Sequence, residues 1–158
     1  ADEALVKLSA FKPQEVTNLL WAFATLSVEE TDLFQAVARD AILKVHRFKP
    51  QEVSNLAWSF ATLWEDNLEL FHSLAQEAVA QAKAFKAQEL SNLAWAFATV
   101  NAGDANLFRH FAVEAHSQLE DFKLQELCML TWAFATLELD GSPALLPLAA
   151  VDFAARLD

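Results

Sequence analysis

Apolar positions recur along the chain at i, i+3, i+4 and i+7, the spacing of one buried face on an α-helix. One such set is Leu33, Phe34, Val37, Ala38, Ala41, Ile42 and Val45. The helices come in pairs. A first helix, A, is predicted from about Pro13 to Leu26, because Pro suits the first helical position and Glu15 follows at the third. Phe11 and Val16, like Phe48 and Val53, stand at the two ends of a hydrophobic staple, which fixes how the chain enters that helix. A polar connection follows each A helix. Thr31 and Asp32, Asp66 and Asn67, Asp104 and Asn106, and Ser142 before Pro143 are candidates to cap a second helix, B.

The pair repeats with a period of 37 residues. FKPQEVTNLLWAFATL starts at Phe11, FKPQEVSNLAWSFATL at Phe48, FKAQELSNLAWAFATV at Phe85 and FKLQELCMLTWAFATL at Phe122. This self-similarity predicts one all-α domain over residues 1–158, a right-handed-type α-solenoid of about four and a half stacked hairpins. The copies run 11–47, 48–84, 85–121 and 122–158, and residues 1–10 align with the end of a preceding copy. That opening is either the remnant of a longer array or a shortened cap. Pro143 and Pro147 predict a late or irregular last B helix, with Asp152 and Arg156 replacing apolar residues of its core face.

Three faces separate when helix A is drawn at about 100° per residue. Val16, Leu19, Leu20, Phe23 and Leu26 form the broad apolar face expected to pack on the B helices. Small residues flank it, Ala22 and Ala24 in the first copy, then Ser59 and Ala61, Ala96 and Ala98, Ala133 and Ala135, so neighbouring A helices can approach closely. The third face carries Gln14, Asn18, Trp21 and Thr25, then Gln51, Asn55, Trp58 and Thr62, then Gln88, Asn92, Trp95 and Thr99, and finally Gln125, Met129, Trp132 and Thr136. Stacking would turn these positions into rows of amides, indoles and hydroxyls, a candidate ligand-binding surface. The alternative is structural: each indole fills the gap between repeats and each Asn bonds a loop carbonyl. A further row, Lys12, Lys49, Lys86 and Lys123, opens every A helix, where free amides and the positive end of the helix dipole favour anions. With Glu15, Glu52, Glu89 and Glu126 within one turn, this row reads either as an anion track or as ordinary solvated charge.

Composition narrows the classes. Hydrophobic residues make up 54% of the chain, which excludes a disordered polymer, and no apolar stretch reaches the length of a membrane span. The formal net charge of −11 is unlike that of a generic polyanion binder. A single cysteine, Cys128, permits no internal disulfide and reads as a small apolar filler in the Ser/Thr position of its helix. No repeat assembles a nucleophile, a base and an orienting group, and His46, His72, His110 and His116 fall at different repeat positions, so neither catalysis, nor a metal, nor a cofactor is expected. Trp64 lies outside the indole row, in a connection, and is a candidate contact for a partner.

The motif F-x-x-Q-E-[LV]-[ST]-N-x-x-W-[AS]-F-A-T-[LV], with Cys128 and Met129 substituting in the last copy, resembles the heptatricopeptide repeats of alveolate and algal organelle proteins, relatives of the octotricopeptide repeats. The resemblance implies a nucleus-encoded protein of a plastid or mitochondrion, with single-stranded RNA as the usual presumed ligand. Joined to the acidic charge, it gives the expectation of a non-catalytic interaction scaffold that contacts protein subunits of a large organellar complex. The alternative is a single-stranded RNA-binding module in organelle RNA metabolism or ribosome assembly.

Overall fold

In the computed structural model, residues 11–137 are described. They form seven α-helices in four A positions and three B positions: α1 (Pro13–Thr25), α2 (Thr31–Lys44), α3 (Pro50–Thr62), α4 (Leu68–Ala80), α5 (Ala87–Thr99), α6 (Ala105–Ser117) and α7 (Leu124–Thr136). The odd-numbered helices are the A helices. Short 3-10 turns, Val45–Arg47, Ala82–Ala84 and Leu119–Asp121, close each B helix before the next copy begins. The protein is an all-α helical-repeat solenoid. The expected preceding-copy tail at 1–10, and the expected late or irregular last B helix with Ser142 as a candidate cap, lie outside the described residues.

Local chemistry sets the helix ends. Every A helix starts with Glu at its third position accepting the backbone N–H of the Lys before it: Lys12 to Glu15, Lys49 to Glu52 and Lys123 to Glu126 at 2.8 Å, Lys86 to Glu89 at 2.9 Å. Three A helices end with a residue in the left-handed region, Ser27 (φ 54°), Trp64 (φ 57°) and Asn101 (φ 53°). The next N–H in each case reaches back to the Phe carbonyl five residues earlier, satisfying a free C-terminal acceptor. Two of the B helices are capped as foreseen, Asn67 Oδ1 accepting from Leu70 N (2.9 Å) and Asp104 Oδ1 from Leu107 N (2.8 Å). In the first copy Glu30 occupies the cap position without a side-chain bond, and Thr31 is already helical. Its hydroxyl instead donates to Glu65 Oε1 of the next copy at 3.0 Å.

The A helices pack against one another along their length, whereas successive B helices touch less. Closer spacing on the A side puts the A layer on the inside of the curve. The small-residue flanks make this approach possible, and their burial shows which neighbour each one meets. Ala24, Ala61 and Ala98 are buried against the following A helix, Ser59, Ala96 and Ala133 against the preceding one, while Ala22 and Ala135 are exposed because no described A helix lies beyond them. Thr17, Ser54 and Ser91 share the first flank and are also buried, and the Ser54 hydroxyl donates to the Glu89 carbonyl of the next helix at 2.9 Å. Cys128 holds the same register but is exposed, contrary to its reading as a core filler, since α7 has no described A helix on that side.

The core lies between the layers. One Phe near the start of each described B helix meets the A-helix Phe of the following copy edge to face: Phe34 with Phe60 at 5.0 Å, Phe71 with Phe97 at 5.1 Å and Phe108 with Phe134 at 5.0 Å. Leu33, Phe34, Val37, Ala38 and Ala41 are buried as the periodicity requires, and Ile42 and Val45 pack partly against them. The apolar face of α1 departs from expectation at its rim. Val16 and Leu20 are buried, Leu19 and Phe23 half-buried, and Leu26 exposed, whereas its counterparts Leu63 and Val100 pack against the core. Those counterparts have a preceding hairpin among the described residues, which Leu26 lacks. Within each repeat the end of B is tied to the start of A by Gln81 Nε2 donating to the Phe48 carbonyl (2.8 Å) and Gln118 Nε2 to that of Phe85 (3.1 Å).

Candidate ligand-binding face

Because each hairpin is antiparallel, all A-helix N-termini lie at one edge of the solenoid and all A-to-B connections at the other. The third face of helix A runs between these edges on the inside of the curve. Gln14, Gln51, Gln88 and Gln125 are exposed in every copy, and Asn18 is exposed while Asn55 and Asn92 are half-buried between neighbouring helices. None of these amides makes a side-chain hydrogen bond among the described residues. The structural alternative for Asn, a bond to a loop carbonyl, is therefore not realised; Gln81 and Gln118 of the B layer do that work. At the first junction Gln14, Thr17, Asn18, Lys49, Gln51, Glu52 and Asn55 converge on a depression of about 90 Å³.

The indoles are arranged differently. Trp21 and Trp58 have ring centroids 6.4 Å apart at 34°, and Trp58 and Trp95 are 6.5 Å apart at 36°. These are contact distances for an aromatic pair. Inserting a flat base between two rings needs about 7 Å between parallel planes, from two ordinary carbon contacts. Trp21, Trp58 and Trp95 thus close on one another and leave no slot for a base between them, while Trp21 (47% exposed) and Trp132 (46%) are the most open indoles of the row. The Thr25 hydroxyl donates to its own helix, to the Trp21 carbonyl at 2.8 Å, while Thr62 Oγ1 and Thr99 Oγ1 are buried without a partner among the described residues. Thr136 is exposed.

Charge is absent from most of this face. Beyond the first turn, residues 16–26, 53–63, 90–100 and 127–137 include no Asp, Glu, Lys or Arg. The ladder lysines Lys12, Lys49, Lys86 and Lys123 are exposed along the N-terminal edge. The neighbouring glutamates are not simply solvated charge: each accepts a backbone N–H, and Glu52 and Glu126 are buried against the preceding A helix. Only Lys123 approaches its Glu as an ion pair, at 4.0 Å between Nζ and Glu126 Oε1. The remaining ammonium groups are free of ion pairs among the described residues. Sequence reasoning passed over Thr17 and Glu52 as members of the depression; the Glu at the third position was itself the signal, since it marks where the helix start folds over its neighbour.

The histidines gather no metal site. His72 Nε2 lies 3.0 Å from Gln76 Nε2 and His110 Nδ1 2.9 Å from the Asn106 carbonyl, both within one B helix, and no group of three or more metal-ligating side chains occurs among the described residues. No helix among them is long and apolar enough to cross a membrane.

These features define a helical-repeat protein that presents an uncharged amide face bordered by lysines. The chain belongs to the family described as RNA-editing substrate-binding complex 6 protein, whose model matches residues 1–149. No individual curated protein matches it. The family name fits a scaffold role in which protein subunits and RNA are both partners. What is shown is this family and a helical-repeat architecture; the narrower heptatricopeptide assignment rests on the repeat motif alone.

Proposed function

We propose that the chain is a non-catalytic scaffold module of an RNA-editing complex, and that its A-helix face holds a short stretch of single-stranded RNA. The observation that carries this reading is the row of exposed Gln and exposed or half-buried Asn side chains, without hydrogen bonds among the described residues, on a face that has no charged residue beyond the first turn and is bordered by exposed lysines. An amide presents donors and an acceptor together, which suits the edge of an unpaired base, and helical-repeat RNA readers use two or three side chains per base. The Lys row at the helix N-termini supplies phosphate contacts. Base stacking contributes little between Trp21, Trp58 and Trp95, which leave no gap, and falls to the more open indoles Trp21 and Trp132. The net charge of −11 does not oppose the ligand locally, since the acidic excess lies off this face. The non-catalytic part rests on the absence of any nucleophile, base and orienting group recurring in the repeats. A mitochondrial setting belongs to the same proposal, as RNA-editing complexes of this kind are mitochondrial. A plastid has no support.

Titrating a labelled single-stranded RNA at two salt concentrations tests the proposal. For single strands, each phosphate contact contributes a slope of about −0.7 in log K against log salt, so four lysine contacts weaken binding roughly 50-fold between about 50 and 200 mM. Lys49→Ala should lower that loss to roughly 20-fold by removing one contact, and Asn55→Ala should weaken binding without changing the slope. A response that is flat in salt and indifferent to Asn55→Ala assigns the face to a protein ligand instead.

A further inference from the structure

The opposite edge of the solenoid, where A helices pass into B helices, has its own character. Trp64 is 74% exposed and Leu68, the first residue of α4, is 64% exposed. Val28 of the preceding connection is also exposed, and the two connections are held together by the Thr31 hydroxyl on Glu65. Neither the turn nor the core accounts for this indole. The backbone at Trp64 is left-handed (φ 57°), a conformation that the equivalent Ser27 and Asn101 meet with small polar side chains and a bulky aromatic rarely adopts. Its ring joins neither the Phe core nor the indole row, and its N–H bonds nothing among the described residues.

The surrounding charge has one sign. Residues 26–32, 63–69 and 100–106 carry Glu29, Glu30, Asp32, Glu65, Asp66, Glu69 and Asp104, with no Lys or Arg among them. All described lysines sit toward the other edge, at Lys12, Lys44, Lys49, Lys83, Lys86 and Lys123. An apolar patch rimmed by carboxylates repels phosphate, and it also repels its own counterpart on a second copy. It complements a helix with an apolar stripe and basic flanks.

We propose that this edge is a docking surface for a cationic amphipathic helix of a partner protein, with Trp64 as the anchor, Leu68 and Val28 beside it and the carboxylate rim holding Lys or Arg. It is independent of the RNA reading, which concerns the inner face of the A helices and the lysines of their N-terminal edge.

The test uses the whole chain and a synthetic helix of about five turns, with Leu on one face and Lys on the other, measured by calorimetric titration. The Leu/Lys helix should bind, and a scrambled peptide of the same composition should bind about tenfold more weakly or worse. Trp64→Asn, which installs the residue the third copy uses at this turn, should reduce peptide binding by about tenfold or more while the melting temperature holds or rises, so the loss is not unfolding. Asp66→Lys combined with Glu69→Lys should weaken the peptide similarly. Single-stranded RNA binding should be unchanged in Trp64→Asn. Equal binding of the scrambled peptide, or undiminished binding by Trp64→Asn, overturns the proposal. So does a Trp64-dependent dimer of the chain alone, which makes a second copy the occupant, or loss of RNA binding in Trp64→Asn.

Discussion

The A and B layers are built from the same kind of helix, yet they treat their exposed positions in opposite ways. On the B helices equivalent exposed positions drift, from Gln35 to His72 to Arg109 and from Arg39 to Gln76 to Val113. On the A helices Gln14, Gln51, Gln88 and Gln125 are exposed in all four copies, have no hydrogen-bonding partner among the described residues, and are still the same residue. Packing explains repetition where a side chain meets its neighbours, as at Ala24, Ala61 and Ala98. It does not explain an unbonded amide in water. Both layers feed the core, but one repeats its exposed surface and the other tolerates change outside the core.

The largest expected effect strikes the seam between the layers. Phe60 is fully buried and receives Phe34 of the previous copy edge to face, so Phe60→Ala should cost about 3–5 kcal/mol in urea unfolding. If the layers depend on each other as described, a hairpin next to the lesion loses hydrogen-exchange protection as well. A loss confined to the second copy would break the comparison by showing hairpins that stand alone.

A smaller effect contrasts the two kinds of neighbour. Ala96 is buried between adjacent A helices, and Ala96→Leu should destabilise by about 1–3 kcal/mol through overpacking. Ala75 borders an open groove of about 270 Å³ between α4 and α6, so Ala75→Leu should be tolerated with little loss. Equal melting temperatures for the two variants would mean that the A layer is no tighter than the B layer. The smallest effect lies at the B-helix starts. Asn67→Ala removes a cap and should cost about 1 kcal/mol, whereas Thr31→Ala, which removes only a hydroxyl-to-carboxylate bond at the surface, should cost no more than about 0.5 kcal/mol.

Much of the fold was legible because each repeat states its own boundaries. Pro or its replacement at the first helical turn, Glu at the third position and Phe before the Lys mark where an A helix begins, and these are interactions within a few residues. The C-terminal turns were less legible. Ser27, Trp64 and Asn101 adopt left-handed backbone without a glycine to announce it, so the signal was not a residue type but the shared position one step after the final apolar residue. Of the candidate site, the wheel placed the amides on the face turned away from the core. It could not place the indoles, whose contact distance is set by how closely two helices approach rather than by either sequence alone.

The sequence by itself determined the repeat, the two helices of each copy, their starts and the residues that share a face, because all of these follow from short-range geometry and the 3.6-residue turn. The tertiary structure alone decided which side of each helix meets the copy before and which the copy after, that Trp21, Trp58 and Trp95 close on one another, and that Glu52 and Glu126 are buried beside the neighbouring helix. It also decided that Trp64 and its carboxylate rim form one edge. Those outcomes depend on distances between segments about 37 residues apart, and such distances are fixed only when small residues let one hairpin settle against the next.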